Sequence, residues 1–190
     1  MPSQVSTESQ AVADDEKARK IPEYGVSGRR IVYDKDGKPC RTCNTLLDFQ
    51  FATGKPSSKT SISTTTTKSN TNPNLKYPKE EPPDVTQLGK SSWTLLHLIA
   101  ATYPEAPTTK QQQDMKQFIN LFSGIYPCWY CGEDFQNYIQ KNEIQVKNQN
   151  EFGTWLCNAH NDVNKKLGKP EFNCNFWKQR WKDGWGNDNN

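Results

Sequence analysis

Apolar side chains recur at intervals of three and four positions through the second half of the chain, the spacing of one face of an α-helix. The pattern starts after Pro82 and Pro83, with Asp84 as the expected cap, and Pro104 ends it. This stretch predicts a first helix. Its apolar positions are Leu88, Trp93, Leu96 and Ile99.

Three more helices are expected downstream. The second follows Thr108 or Thr109, and the third starts at Pro127, because proline fits the first position of a helix. The fourth extends from about Asn150 to Leu167 and stops at Gly168, a residue that commonly ends helices. An aromatic segment from residue 176 to 185 is expected to pack across the end of the bundle. Sustained strand alternation is lacking and the connections are short, so we predict an all-α fold, a four-helix bundle with a short fifth helix.

The first 81 residues have a different character. They lack sustained periodicity and include a Ser/Thr tract at 61–67 and an Asn-rich stretch, a composition that cannot bury enough apolar surface to fold alone. We therefore expect a disordered N-terminal arm over 1–81 and a folded domain over 82–190. One island, 32–51, carries Cys40 and Cys43 and resembles a docking arm. A flexible coil after it would span about 30 Å, enough to reach a site in its own chain or a neighbour.

Charge and hydropathy exclude several classes. The 24 basic and 21 acidic side chains leave a net charge of only +3, and no basic block is interleaved with aromatic residues, so nucleic acid is not an expected ligand. No apolar run approaches the length needed to cross a bilayer. The first 30 residues are too polar for a secretory signal and too acidic for a mitochondrial presequence, so entry into an organelle would need another route.

Six cysteines stand in three sets along the chain. They are Cys40 with Cys43, Cys128 with Cys131, and Cys157 with Cys174. Because cytosolic proteins rarely hold stable disulfides, this number indicates an oxidising compartment or redox or metal chemistry.

Cys128 and Cys131 form the strongest local motif. With Pro127 at the first helical position, Cys128 would lie at the positive end of a helix dipole, which favours a thiolate. We interpret Cys128 as the accessible sulfur for exchange, and Cys131, nearly one turn further, as the sulfur that faces a buried cofactor.

Two alternatives remain open. Two Cys-x-x-Cys knuckles can bind zinc, and a lone pair can belong to a thioredoxin domain, although no β-α-β pattern accompanies it.

Cys157 and Cys174 bracket the end of the fourth helix. A disulfide there would tie the fifth segment to the bundle and contribute about 3 kcal/mol in the chain-entropy model. The alternative is a pair of buried thiols.

A polar stripe runs along the fourth helix beside its apolar face. Cys157, His160, Asn161 and Asn164 lie on it, and Trp93 and His97 offer a matching pair on the first helix. A ligand could satisfy these groups, although a solvated face is the alternative. Net oxidation of dithiols needs a cofactor, and the chain lacks the Gly-x-Gly-x-x-Gly of a Rossmann site, so a flavin would lie inside the bundle.

These motifs together resemble the Erv/ALR family of FAD-linked sulfhydryl oxidases, most of all its mitochondrial intermembrane-space type. The resemblance covers 82–185 and the arm around 33–51. It rests on Gly89-Lys90-Ser91-Ser92-Trp93 through His97, Tyr126-Pro127-Cys128-x-x-Cys131, Cys157 through Asn164, Cys174, and Arg180 through Trp185.

The resemblance implies a thiol oxidase that binds FAD, with Cys128 and Cys131 as the active-site pair, Cys40 and Cys43 as a shuttle pair, and a structural Cys157–Cys174 bridge. It also implies a homodimer in the mitochondrial intermembrane space that reoxidises a redox-active import receptor and passes electrons to cytochrome c or oxygen. The family commonly has arginine at the position of Lys90. The implied cofactor-binding residues are Gly89, Lys90, Trp93, His97, Tyr103, Cys157, His160, Asn161, Val163, Asn164, Lys166, Lys169 and Trp181.

Two readings from other classes compete with the oxidase. One is a zinc-stabilised interaction module without catalysis, and the other is a redox chaperone with disulfides and no cofactor. Both would be colourless, whereas a flavoprotein is yellow.

Overall fold

A computed structural model describes residues 21–54 and 81–186 of the chain. Residues 1–20 and most of the expected linker, 55–80, lie outside this described part. The described helices are α1 (Leu46–Thr53), α2 (Val85–Thr102), α3 (Thr109–Gly124), α4 (Trp129–Lys141) and α5 (Gln149–Lys166), followed by a 3₁₀ turn (Cys174–Phe176) and a π-helical turn (Gln179–Asp183).

The bundle forms as the sequence predicts. Asp84 caps α2 by accepting hydrogen bonds from the backbone N–H groups of Thr86 and Gln87, and Thr108 begins α3 with a capping box to Gln111. After α5 the chain turns at Gly168, where φ is 65°, a conformation that favours glycine. The all-α expectation is confirmed.

The start of α4 differs from the expectation. The helix begins at Trp129, and Cys128, not Pro127, occupies the cap next to it. The sulfur of Cys128 accepts the hydrogen bond from the N–H of Cys131 that a Ser or Asp cap would accept, at 3.2 Å. Pro127 therefore precedes the cap. A sulfur acting as the cap was not foreseen from the sequence.

The apolar core lies where α2 packs on α5 and α3 packs on α4. Gly153 of α5 allows the buried ring of Trp177 to lie against the helix backbone, because any Cβ at this position would overlap that ring. The C-terminal segment is thereby held to α5. The buried members of the core cluster are Leu96, Ala100, Tyr103, Ile119, Ile144, Val146, Phe152, Trp155 and Leu156.

The segment after α5 is also fastened by the Cys157–Cys174 disulfide, with Cα atoms 5.8 Å apart. Asn161 adds two hydrogen bonds, donating to the carbonyl of Phe172 and accepting from its N–H. The sequence predicted one short helix after α5, over 176–185. The helical turns instead begin at Cys174, where the disulfide holds the chain, and end at Asp183, before Gly184.

Residues 21–54 form two tight turns and α1, an element that the expectation of a flexible arm did not contain. The buried carboxylate of Asp48 accepts hydrogen bonds from the N–H of Ser27, the hydroxyl of Ser27 and the hydroxyl of Thr45. The amide of Asn44 bonds Val32 in both directions and also donates to the carbonyl of Cys40. Polar side chains thus order this segment, which hydropathy alone cannot reveal.

The same segment contacts the bundle at the start of α2. The backbone N–H of Leu46 donates to Asp84 at 3.2 Å, and the side chain of Arg41 donates to the carbonyl of Pro82. A backbone bond also joins Val85 to Asn44. Within 21–54 and 81–186, no helix has the length and apolar character needed to cross a membrane.

Candidate active site

Both Cys-x-x-Cys pairs are closed as disulfides, with Cα atoms 5.3 Å apart in each. The Cys128–Cys131 disulfide, called here the proximal pair, lies at the N-terminus of α4. When reduced, a sulfur at this position gains from the helix dipole and from the N–H of Cys131, which lower the free energy of a thiolate. Within the described residues, no group of three or more His, Cys, Asp or Glu side chains could hold a metal ion.

The accessibilities of the two proximal cysteines differ from those inferred from the sequence. Cys128 is 0% exposed, whereas Cys131 is only partly buried. The prediction that Cys128 is the accessible sulfur is therefore wrong for this arrangement. Cys128 turns its sulfur back onto the first turn of α4, and the arm packs against the preceding residue. The contact with the arm joins residues 85 positions apart and cannot be read from local sequence.

The Cys40–Cys43 disulfide, called here the shuttle pair, lies on the arm where the arm meets this helix. The hydroxyl of Thr42, between the two cysteines, donates to the carbonyl of Pro127 at 2.9 Å. Because Pro127 immediately precedes Cys128, the two Cys-x-x-Cys segments are neighbours in the fold. They are far apart in sequence.

Two histidines and two tryptophans form a stacked cluster between α2, α5 and the C-terminal segment. Trp93 stacks on His160 with ring centroids 4.2 Å apart, and His97 stacks on Trp181 at 4.4 Å. His97 Nε2 lies 3.0 Å from His160 Nδ1, a hydrogen bond between the two rings. The family resemblance implied all four residues as neighbours of one ligand.

Both histidines are neutral at physiological pH. Burial lowers the pKa of His97 to about 3, and the positive charge of Arg180, together with that of His160 once it is protonated, acts in the same direction. Burial, with the charge of Lys169, lowers the pKa of His160 to about 4. Neutral rings can pair with one another and stack on aromatic surfaces without a buried charge.

One ring nitrogen of this cluster has no hydrogen-bond partner among the described residues. His97 Nδ1 is buried and has no hydrogen-bond partner within the described part of the chain. If Nε2 donates to His160, Nδ1 is a free acceptor, and in the other tautomer it is a free donor. A ligand that offers a polar edge beside a flat aromatic surface fits this site, and the isoalloxazine or adenine ring of FAD is such a ligand. The residues present therefore fit FAD.

The cluster is connected to the proximal pair through α4. Phe135 follows Cys131 by four positions, so the two share a face of the helix, and its ring contacts Trp93 edge-to-face at 6.1 Å. The hydroxyl of Tyr126, just before Pro127, donates to Ser92 at 3.0 Å. These contacts join the middle of α4 and the segment just before it to the part of α2 that carries Trp93.

Several other predicted cofactor residues have partners inside the protein. Cys157 is in the structural disulfide, and Asn161 holds Phe172. Tyr103 lies in the core, where its ring packs on Phe152 and its hydroxyl donates to the carbonyl of Val146 at 2.9 Å. Tyr103 is thus placed by packing, and the structure does not bring it into contact with the histidine pair.

Lys166 bridges α4 and α5, with its Nζ 2.6 Å from carboxylate oxygens of both Asp134 and Asp162. Burial alone would lower the pKa of Lys166, but its hydrogen bonds to the two carboxylates outweigh burial and raise that pKa. Lys169 is exposed close to His160. Both lysines remain candidates for an anionic ligand group, although Lys166 already has two counterions.

The remaining candidates lie on α5 and on α2. Val163 and Asn164 are partly buried on α5, and Asn164 also accepts the N–H of Lys169 at 2.8 Å. Lys90 is exposed and lines a surface cleft with Leu46 at the junction of α1 and α2. Gly89, next to Lys90, has open space where a side chain would lie.

Two contributors were missed from the sequence. The guanidinium of Arg180 lies over Trp181 at 4.4 Å from the ring centroid and acts on His97, and Asp134 holds Lys166. Arg180 could have been found from the sequence, because it adjoins Trp181, a predicted cofactor residue. The sequence carries no such signal for Asp134, because an acidic residue on a helix is ordinarily solvated.

A helical bundle with a Cys-x-x-Cys disulfide at one helix N-terminus, a second such disulfide docked beside it and a buried aromatic site defines a thiol–disulfide oxidoreductase with a cofactor site. A profile of the Erv1 / Alr family matches residues 90–182. The mitochondrial FAD-linked sulfhydryl oxidase ERV1 of Saccharomyces cerevisiae is 53% identical, covering 91% of this chain and 98% of that protein. That of Schizosaccharomyces pombe is 41% identical, covering 79% of this chain and 90% of that protein. The chain belongs to the Erv1 / Alr family.

Solved structures agree. The crystal structure of the yeast Erv1 core is 58% identical and superimposes with a TM-score of 0.58, covering 62% of this chain and 99% of that chain. The FAD-binding domain of Erv1 from Saccharomyces cerevisiae gives 60% identity and a TM-score of 0.53 over 55% of this chain. The family expected from the sequence, the FAD-linked sulfhydryl oxidase activity and FAD as cofactor are confirmed. Because the two relatives above are named mitochondrial, a mitochondrial location is supported as well.

Proposed function

We propose that this FAD-linked sulfhydryl oxidase takes electrons from reduced protein dithiols at the shuttle pair and relays them to the proximal pair. The observation that carries the proposal is the contact between the two Cys-x-x-Cys segments through Thr42 and Pro127. Two exchangeable disulfides in adjacent segments are the arrangement that a relay requires.

The relay proceeds by two exchanges at each pair. A substrate thiolate attacks the shuttle disulfide, and a second substrate thiolate resolves the mixed disulfide, leaving substrate oxidised and Cys40 and Cys43 reduced. Cys128 is closed to solvent but follows the residue that Thr42 of the docked arm contacts. One shuttle thiolate of the docked arm then attacks the sulfur of Cys128 and releases Cys131 as a thiolate. The other shuttle thiolate re-forms Cys40–Cys43 and releases Cys128. Each complete exchange moves two electrons and two protons.

The site around the histidine pair is proposed to hold the cofactor. Bound FAD supplies the two-electron acceptor that thiol exchange lacks, since exchange only redistributes electrons among sulfurs. Trp93, His97, His160 and Trp181 would hold its flat rings, with the free nitrogen of His97 as a hydrogen-bonding group. The partly buried Cys131, on the face of α4 that carries Phe135, is the proximal sulfur proposed to face it.

We also propose a compartment, a protein substrate, a final electron acceptor and an oligomeric state for the enzyme. The resemblance supports the intermembrane space, a redox-active import receptor as the substrate, and cytochrome c or oxygen as the final acceptor. A homodimer is supported by Leu95 and Leu98, which lie three positions apart on α2 and are 53% and 48% exposed. Such an apolar strip is a surface that a second subunit could cover.

The visible absorption spectrum tests the core of this proposal. We expect the purified protein to show flavin bands that bleach when a small dithiol is added without air. Cys131→Ser should keep the bands and lose the bleaching. Colourless protein, or bleaching that survives in Cys131→Ser, would contradict the proposal.

The shuttle role needs a protein substrate. Cys40→Ala should lower turnover of a reduced dithiol protein at least ten-fold, while a small dithiol continues to bleach the flavin. Unchanged turnover with both substrates would remove the relay from the mechanism.

A further inference from the structure

Thr42, between the two shuttle cysteines, contacts the residue that precedes the proximal pair. Its hydroxyl donates to the carbonyl of Pro127 at 2.9 Å, and the same oxygen lies 3.7 Å from the sulfur of Cys40. A hydroxyl has one proton and two lone pairs, so it can donate to Pro127 and still accept from another group. When the shuttle is reduced, the S–H of Cys40 can be that second donor.

The backbone on both sides of Thr42 is already fixed. Asn44 donates to the carbonyl of Cys40 at 2.7 Å, so the loop that carries the shuttle pair is closed from within the arm. Arg41 reaches the carbonyl of Pro82, and Asp84 accepts the N–H of Leu46 while it caps α2. These contacts bring the arm to the bundle, but they are made at the start of α2. Of the hydrogen bonds between the described parts, the one from Thr42 is made just before α4, at the residue next to Cys128.

We propose that Thr42 is a positioning residue that sets the register of the shuttle pair against Cys128 for disulfide exchange. The proposal rests on the relay proposed above and adds the residue that aligns it. Exchange requires the attacking sulfur to approach along the axis of the disulfide under attack. Because the hydrogen bond from Thr42 is made to the residue next to Cys128, it can control that approach. In this step one shuttle thiolate bonds to Cys128 and the Cys128–Cys131 bond breaks, so that Cys131 leaves as a thiolate.

The test measures how readily the mixed disulfide forms. In Cys43→Ser/Cys131→Ser, only Cys40 and Cys128 remain of the two pairs, and Cys40→Ser/Cys131→Ser leaves Cys43 and Cys128. Equilibrating each full-length variant in glutathione redox buffers gives the fraction joined to Cys128, from peptide masses. This fraction yields the effective concentration of the two thiols.

Adding Thr42→Val removes the hydroxyl and keeps the shape. We expect the effective concentration to fall about three- to ten-fold in at least one background, the worth of one net hydrogen bond. Thr42→Ser should restore it. Thr53→Val is the matched control and should have no effect, because the hydroxyl of Thr53 bonds carbonyls of its own helix, those of Phe49 and Gln50.

The outcomes separate the two proposals. If neither background forms a mixed disulfide, the relay itself fails. If mixed disulfide forms equally well with threonine and valine at position 42, the relay stands and the positioning role is overturned. An equal loss in Thr42→Ser and Thr42→Val would also overturn it, since the hydroxyl would then not be the group that matters.

Discussion

The arm of residues 21–54 and the bundle of α2–α5 are stabilised by different kinds of interaction. In the arm, the buried side chains are Ile31, Cys43, Asn44 and Asp48, half of them polar. In the bundle, an apolar cluster built around Phe152 and Leu156 fills the space between helices. The stabilisation from hydrophobic burial grows with the apolar area removed from water, whereas the stability of a polar centre depends on every hydrogen bond being made.

This difference suits the two tasks. The bundle must hold a cofactor site and a structural disulfide in one geometry, which a close-packed apolar core provides. In the proposed relay, the arm presents a disulfide first to a substrate and then to the proximal pair. A segment with little apolar burial can leave and return to its docking position at low cost. Substitutions in the bundle and in the arm can each test this difference.

The largest effect is expected in the bundle core. Phe152→Ala should lower the free energy of unfolding by about 3–5 kcal/mol, because Phe152 is 0% exposed and the cavity would be lined by rigid helices. Urea unfolding with the disulfides intact measures this. Phe51→Ala, at a residue 49% exposed in the arm, is the matched control and should change the value by less than about 0.5 kcal/mol. Similar losses in both would remove the contrast.

The histidine pair should make the bundle sensitive to mild acid. Burial holds the pKa of His97 at about 3 and that of His160 at about 4, below the ordinary value of 6.5. Unfolding therefore takes up protons once the pH falls below about 6.5, and stability decreases from there toward those two values. Between pH 7.5 and 5.5 we expect a loss of about 2 kcal/mol, allowing for screening at the half-buried His160.

Urea unfolding at the two pH values tests this, and His160→Gln provides the comparison. Removing one of the two titrating rings should reduce the pH dependence by about half. A pH dependence that is unchanged in His160→Gln would contradict the assignment.

A third change addresses the polar centre of the arm. Asp48→Ala should lower the local stability of 21–54 by about 1–3 kcal/mol, because the N–H and hydroxyl groups that Asp48 accepts would lose their partner. Amide hydrogen exchange should accelerate across this segment and stay unchanged in α3 and α5. Asp36→Ala, at an exposed turn, should leave both regions alone. Faster exchange throughout the bundle would show that the two regions unfold together.

The smallest effect is expected at the link between α4 and α5. Asp134→Asn removes one of the two carboxylates on Lys166 and should cost about 0.2–1 kcal/mol, since both partners are partly exposed. The loss should shrink at high salt. Asp114→Asn, in the exposed pair with Lys110, should cost less, and a larger loss there would show that burial does not govern these ion pairs.

Much of the bundle was predictable because its signals are local. Apolar spacing, the cap at Asp84, the box at Thr108 and the stop at Gly168 each depend on residues within a few positions of one another. The cysteine spacings likewise predicted the exchange pair and the bridge to Cys174. The stripe on α5 indicated a ligand-facing surface, and His160 lies in the aromatic cluster.

Other features were decided only by the tertiary structure, because they depend on contacts between distant segments. The burial of Cys128, the ordering of the arm by Asp48 and Asn44, and the pairing of His97 with His160 are of this kind. So is the use of Asn161 to hold Phe172. A polar side chain in a sequence shows only that it needs a partner. Whether that partner is water, a ligand or another part of the chain is determined by which groups folding brings within hydrogen-bonding distance.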